Sequence, residues 1–398
     1  MSFLETRALS DRLPVVPQTP VLSARQVIGG LTAAGTVIVV AAFAAALESW
    51  SPFSLVTLML VTASVVWIAG GAATSLVGAF GRRRSPLPPP DGWRPRGRTA
   101  ILVTLCGEPP LPLAEHLANL SHACDRAGLG ATCDIFVLSD TSSVEAIAAE
   151  EAALGPLRAA GLLQYRRRPV NTGRKPGNIT DWLETSGADF DYMLVLDSDS
   201  RMSAGRIRRM IHHIETRPGI GLLQAGIALV PAETRFGRLQ RTTGRLVGPA
   251  FVQGFAAWTG TTGNYWGHNA LIRTRAFHEA SRLPELPGKA PLGGSILSHD
   301  IVEAAWIRRA GWAVVVDASP GGSAEDGPQT LEEFHRRDRR WCQGNLQHLR
   351  IMGAQGLHPA SRIHMISGIF AYLAAPLWLG LVLLMATGAA TVEGALPF

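Results

Sequence analysis

The sequence predicts an α/β fold: a mixed, mainly parallel sheet with flanking helices, attached to about three transmembrane helices. Three observations lead there. Three long stretches of the 398 residues carry no charge. Between the second and third, short apolar runs of strand length alternate with stretches of helix length, the pattern of a parallel sheet covered by helices. Polar turns rich in carboxylates follow the strand candidates directly, at the strand ends where such sheets gather ligands.

The charge-free runs are residues 26–47, 49–81 and 365–392. Each reaches the roughly 20 residues that a helix needs to cross about 30 Å of hydrocarbon. Core helices of that length would be expected to carry some charge, so membrane spans are the better reading. Pro376 and the glycines of the third run are tolerated in membrane helices. The chain therefore divides into an N-terminal tail (1–25), two spans (26–81), a basic and Pro-rich linker (82–98), a main domain (99–345), an interfacial segment (346–364) and a third span (365–392). Arg7, Arg12 and Arg25 precede the first span. Residues 48–52 contain no Lys or Arg, and Arg82-Arg83-Arg84 follow the second span. The positive-inside rule then places both the tail and the main domain in the cytoplasm. The net charge of +6 does not point to nucleic acid, because no basic–aromatic stripe accompanies it. Much of it flanks the spans, where anionic membrane lipids attract it. Cys106, Cys124, Cys133 and Cys342 show no metal-type spacing and read as reduced, small core residues.

In the main domain, strands are expected at 100–105, 134–138 and 192–196, and helices at 111–127, 143–160 and 203–216. The first strand leads to Gly107-Glu108-Pro109, the second to Ser139-Asp140-Thr141 and the third to Asp197-Ser198-Asp199-Ser200. All three turns lie on one rim, and such carboxylates suit a hard divalent cation, Mg²⁺ or Mn²⁺, that also binds substrate phosphates. Position alone leaves Asp197 and Asp199 open between metal ligands and turn-forming caps of the next helix. Asp189-Phe190-Asp191 has the same spacing but precedes its strand, so it falls on the wrong rim. Residues 166–178, Arg166-Arg167-Arg168 through Arg174-Lys175-Pro176-Gly177-Asn178, form a basic stretch read as a phosphate-binding loop. Further on, Asp300 and Glu303 are spaced like a capping box. Asp300 reads either as a helix cap or as a general base that deprotonates an acceptor hydroxyl. Thr330 and Glu333 form a second capping-box pattern. Arg337, Arg340 and Trp341 then share one helix face, suited to a diphosphate and to stacking on a sugar ring, or to an Arg–Trp stack near a membrane.

Four motifs, taken together and in order, carry a resemblance. They are Asp197-Ser198-Asp199, Gly263-Asn264-Tyr265-Trp266-Gly267-His268-Asn269, Ser298-His299-Asp300-Ile301-Val302-Glu303-Ala304 and Arg336-Arg337-Asp338-Arg339-Arg340-Trp341-Cys342-Gln343-Gly344-Asn345. The chain resembles processive family-2 glycosyltransferases, most closely the bacterial glucans biosynthesis glucosyltransferase H family. The resemblance implies a GT-A-type, Rossmann-like fold at the bacterial inner membrane. It implies inverting transfer from UDP-glucose to a growing β-glucan acceptor, and a periplasmic glucan-biosynthesis partner. It implies uridine contacts at Glu108 and Asp140, and phosphate or uridine contacts near Lys175 and Asn178. Asp199 is then the metal ligand, with Asp197 beside it at the donor sugar, and Asp300 is the base. Arg337, Arg340 and Trp341 match the element that binds pyrophosphate and lines the acceptor site, and residues 265–269, with His268 and Asn269, match part of the acceptor pocket. Cellulose-synthase relatives place the base after Thr-Glu, whereas Ser298-His299 stands here. Relatives also continue into further spans. A three-span chain is expected to be part of a longer protein, to need a partner, or to transfer sugar without moving the product across. Single-sugar transfer to a lipid carrier and a non-catalytic nucleotide-sugar sensor are the other readings of the same residues.

Overall fold

The computed structural model describes residues 21–81, 86–280 and 283–387. Arg7, Arg12 and Arg82-Arg83-Arg84, on which part of the orientation argument rests, lie outside these, as does the end of the third apolar run.

Helices α1 (Val21–Ala45) and α2 (Pro52–Phe80) correspond to the first two runs. Ser51 caps α2, its side chain accepting from the Ser54 N–H at 3.1 Å. The main domain follows as β1 (Thr99–Leu105), α3 (Pro110–Arg126), β2 (Cys133–Ser139), α4 (Val144–Ala159), β3 (Gln164–Arg167), α5 (Arg174–Thr185) and β4 (Tyr192–Asp197). After these come β5 (Arg201–Met202), α6 (Ala204–Glu215), β6 (Ile220–Ala225), β7 (Ala228–Leu229) and α7 (Arg235–Thr259). The domain closes with β8 (Ala270–Arg273), α8 (Thr274–Ala280), α9 (His299–Arg309), β9 (Ala313–Asp317), β10 (Ser323–Glu325) and α10 (Leu331–Gln347). The third apolar helix, α11 (Pro359–Ala386), begins six residues ahead of the apolar run, because Pro359 and the His358 side chain, which accepts from the Ala360 N–H, start it there. All three of α1, α2 and α11 are long and apolar enough to cross a membrane.

Seven strands form one sheet in the order β3-β2-β1-β4-β8-β6-β9. Only β8 runs antiparallel to its neighbours. The central strands carry Ile101, Leu102, Leu138, Leu194 and Leu271, all buried, so both faces are covered, as parallel sheets require. A small sheet, β5-β10-β7, lies beyond the end of β4. The basic stretch at 166–178 is not a single loop. Arg166 and Arg167 belong to β3, and Arg174 opens α5. A four-residue polar edge strand has no apolar alternation by which the sequence could reveal it. Among the cysteines only Cys124 is buried, and Cys106 is exposed.

Helix α7 crosses α2 with almost no room. A Cβ on Gly78 would come within 1.7 Å of the Ala250 carbonyl oxygen, and one on Gly254 within 1.8 Å of the Thr74 oxygen. Gly254→Ala is therefore expected to destabilise the protein by about 1–3 kcal/mol, the usual cost of overpacking. Gly248→Ala, in the same helix with nothing within 4 Å of its Cβ, should be neutral or stabilising. Thermal unfolding of both variants in the same detergent checks this.

Candidate active site

The carboxyl ends of β1, β2 and β4 meet on one rim, as the strand-end rule requires. At the end of β1, the exposed Glu108 turns back, its carboxylate accepting from the Cys106 N–H at 2.6 Å. After β2, buried Asp140 accepts two parallel bonds from Arg168, at 2.8 Å from Nε and 2.8 Å from a terminal nitrogen. Arg168 also reaches the carbonyls of Thr172 and Arg174, so it ties the strand end to the turn that opens α5. Asn178 lies buried behind that turn, donating to the Leu138 carbonyl and accepting from Arg166.

Lys175, in the first turn of α5, is the hinge of the arrangement. Its ammonium donates to Asp197 and, at 2.7 Å, to the Gly267 carbonyl. Asp197 also accepts from the Thr104 hydroxyl at 3.2 Å. Burial pushes the Asp197 carboxyl up, but the Lys175 ammonium and His268 outweigh it and hold it at about 2. Asp199 goes the other way. Burial, the Asp197 charge and the Glu325 charge push it up to about 6. The two aspartates differ because, among the described residues, a bonded cation, Lys175, reaches only the first.

The loop at 263–269 packs against these residues from the far side. Tyr265, buried, donates to the Gly267 carbonyl at 2.7 Å. Gln224, fully buried on β6, donates to the His268 carbonyl and accepts from the Trp266 N–H. His268 stands between Ser200 at 3.2 Å and Glu325 at 3.0 Å. Burial lowers its basicity, but the bond to Glu325 and the Asp197 charge raise it further. Asn269 takes the left-handed backbone, φ 51°, and its buried amide donates to Ser323 and Ala324. It joins the large sheet to the small one.

Asp300 lies against this loop: a Cβ on Gly267 would stand 3.6 Å from its Oδ2. Of the two readings left open for Asp300, the capping box with Glu303 does not form. The N-cap is Ser298, without a side-chain cap, and Glu303 is buried and paired with His299 at 3.1 Å. Asp300 occupies the first turn of α9 with its carboxylate free of that duty. The second capping box is present at Thr330 and Glu333. Helix α10 presses onto the start of α9 so closely that a Cβ on Gly344 would meet Ser298 Oγ at 2.4 Å.

The arginines of α10 do not act as one face. Arg337 bonds to Glu325 at 3.3 Å and lies 4.5 Å over the ring of the half-exposed Trp341. Arg340 lines a separate cleft of about 510 Å³ with Arg174, Arg336, Arg339 and Gln343. The decoy Asp191 caps the opposite rim, accepting from the Arg98 N–H at 3.0 Å. Ser200 closes the carboxylate turn after β4, whereas Glu325, Gln224 and Arg168 belong to the site and stand in no motif. Only the basic character of the 166–168 run signalled the last of them.

Among the described residues no three His, Cys, Asp or Glu side chains are grouped to hold a metal by themselves. Asp197 and Asp199 are carboxylates, the ligand type a hard divalent cation takes together with substrate phosphates and water, and one Asp197 oxygen is already bonded to Lys175.

The profile described as "Glycosyl transferase family group 2" matches residues 192–392, and that described as "Glycosyl transferase family 2" matches residues 101–280. Curated relatives named "Glucans biosynthesis glucosyltransferase H" match at 45% identity in Bradyrhizobium diazoefficiens, over 79% of this chain and 43% of the relative. In Rhodopseudomonas palustris the match is 41% over 88% of this chain and 48% of the relative. In Vibrio cholerae it is 42% over 84% and 47%. The chain thus spans about half the length of the curated relatives it matches. Among solved structures, the mannosyltransferase PcManGT from Pyrobaculum calidifontis, in complex with GDP-Man and Mn2+, aligns over 85% of this chain and 88% of its own, with TM-score 0.55 and 14% identity. That likeness shows the fold to be of GT-A type.

Proposed function

Because the chain belongs to glycosyl transferase family group 2, we propose that it is an inverting glucosyltransferase. It takes glucose from UDP-glucose and extends a β-glucan at the cytoplasmic face of the bacterial inner membrane. The observation that carries this reading is Lys175. One ammonium holds both Asp197, at the end of β4, and the Gly267 carbonyl, in the loop against Asp300. The carboxylates suited to the donor and the carboxylate suited to the acceptor thereby share one cleft.

In this reading Glu108 and Asp140 receive the uracil, and Arg168 fixes Asp140 in place. Asp197 faces the donor glucose, and Asp199 would hold a divalent cation, Mg²⁺ or Mn²⁺, with Asp197 beside it. When bound, that cation supplies charge neutralisation to the diphosphate leaving group. Lys175 and Arg337 add positive charge around the same group, Arg340 lends its charge only from the neighbouring cleft it shares with Arg174, and Asn178 steadies the turn from behind. His268 and Asn269 hold the loop that borders the acceptor, and Trp341 offers a ring face to a sugar, its other side covered by Arg337. Asp300 takes the proton from the acceptor hydroxyl. That oxygen bonds to the anomeric carbon from the side opposite the diphosphate, the carbon–phosphate-oxygen bond breaks, and UDP leaves.

The test is incubation of the protein, in membranes, with labelled UDP-glucose and Mg²⁺ or Mn²⁺. UDP release and a ladder of glucan products are expected. A single labelled lipid would assign the site to lipid-carrier transfer instead, and binding without UDP release would reduce it to a sensor.

A pH prediction follows from Asp199. Its carboxyl, at about 6, carries a proton where the cation would bind, so the two compete. Mn²⁺ affinity should be nearly constant above pH 6 and should fall by up to about tenfold per pH unit below it. Calorimetric titrations at about pH 5 and about pH 7.5 measure the difference; equal affinities would remove Asp199 from the metal site.

A further inference from the structure

Helix α4 puts a carboxylate where its packing face calls for an apolar side chain. Its buried residues are Leu154 and, one turn earlier, Glu150, which is 1% exposed. The partners of Glu150 are two hydroxyls. Thr141, buried in the turn after β2, donates to one carboxylate oxygen. Tyr165, on β3, donates to the other at 2.9 Å. Neither partner is a cation, so the fold carries the desolvation cost of this charge without an ion pair to offset it. Packing alone does not call for a carboxylate here.

Thr141 links Glu150 to the candidate site. It follows Asp140 directly, and its N–H donates to Ser139 Oγ at 3.2 Å. The Asp140 N–H donates to the Leu105 carbonyl at 2.8 Å, and the Arg168 N–H to the Ser139 carbonyl at 3.1 Å. The turn is thus tied to β1, to the end of β3 and, through the Thr141 hydroxyl, to α4. Arg168 takes one lone pair on each oxygen of Asp140, and each oxygen keeps another. The direction of those free lone pairs depends on how the turn is held. Cys106 lies at the open side of the same place, its thiol donating to the Asp140 carbonyl at 3.8 Å. Burial pushes that thiol up, and the charges of Glu108, Asp140 and Glu150 push it further. Three carboxylates therefore converge on one small region.

We propose that Glu150 is a positioning residue for selection of the donor base: through Thr141 it sets the angle of the Ser139-Asp140-Thr141 turn, so that Asp140 presents acceptors to a ring N–H. The inference rests on the reading that Asp140 receives the uracil. Glu150 itself touches neither base nor sugar. Uracil carries an N–H at N3, whereas cytosine carries a lone pair there. A region of acceptors bonds the first and leaves the second with lone pairs facing lone pairs.

The experiment measures UDP and CDP affinities of the whole chain by calorimetry, together with kcat and KM for UDP-glucose and the unfolding temperature. The parent should bind UDP about a hundredfold more tightly than CDP. Thr141→Val keeps the shape and removes the hydroxyl. It should weaken UDP binding about tenfold and shrink the UDP-to-CDP ratio by a similar factor. KM for UDP-glucose should rise with it, while kcat stays within about twofold. Glu150→Gln should shift the ratio in the same direction, because an amide has one acceptor oxygen for the two hydroxyls. Thr141→Ser, which returns the hydroxyl, should return the ratio. Variants that unfold at a lower temperature but keep the parent's ratio would overturn the proposal and leave Glu150 a packing role. A parent that binds UDP and CDP equally would overturn the donor reading, and this inference with it.

Discussion

Asp300→Asn is expected to lower glucosyl transfer by about 10²–10⁴-fold, the range for losing a positioned general base, while UDP-glucose affinity changes little. Asparagine keeps the size of the side chain and cannot take the acceptor proton. No neighbour can stand in for it. His299 is committed to the buried Glu303, and His268 to Glu325 and Ser200. The fold should tolerate the change, because Ser298, not Asp300, is the N-cap of α9, and α9 is held by α10 through Gly344 and by the buried Val302, Ala304 and Ala305. Comparing kcat for UDP release with the equilibrium affinity for UDP-glucose separates the two effects. Full turnover in the variant would remove Asp300 from the reaction. A parallel loss of donor binding would place it on the donor instead.

The contrast between Asp300 and its surroundings also shows what the sequence made legible. The three buried strands were readable because an apolar run flanked by turns has few alternatives. The turns after them then fell on one rim, because parallel strands present their carboxyl ends together. That logic separated Asp197 and Asp199 from Asp191, which caps the other end of the same strand. The edge strand β3 was not readable, since Gln-Tyr-Arg-Arg pairs only through its backbone. Helix α7 was hidden for a related reason: its arginines and four glycines interrupt any apolar period, and its packing depends on a glycine contact with α2 that no local pattern announces. Spacing also misled. Glu303 sits where a capping box would place it, yet its carboxylate pairs with His299, because the site needs a buried partner for that imidazole more than the helix needs a cap. Arg337 and Arg340 share a face by angle, yet the small sheet draws the first to Glu325 while the second opens onto the cleft with Arg174. Glu325 and Gln224 are invisible to motif reasoning, because they act on a substrate-side residue through one further hydrogen bond, and only the tertiary fold brings them there.

Asp199→Asn carries the other large expected effect, and it separates catalysis from stability. The carboxylate of Asp199 is half-buried beside Asp197 and Glu325, and its proton is held up to about 6 from an unfolded value near 4. The folded protein therefore binds that proton more tightly than the unfolded chain does. Its contribution to stability is fully present below about pH 4 and is lost as pH rises through 6. At neutral pH without metal, the ionised Asp199 is a liability to the fold, so the asparagine variant should unfold at an equal or higher temperature. It should also lack the fall in Tm that the parent shows between about pH 4 and about pH 6. Turnover should move in the opposite direction. If Asp199 holds a cation against the diphosphate as proposed, its loss would remove several kcal/mol of transition-state stabilisation, so a drop of about a thousandfold or more is the expected result. A protein that gains stability while losing nearly all activity is the signature of a carboxylate retained for a ligand. A variant that loses both would mean that Asp199 serves the turn after β4, the structural role that position alone had left open.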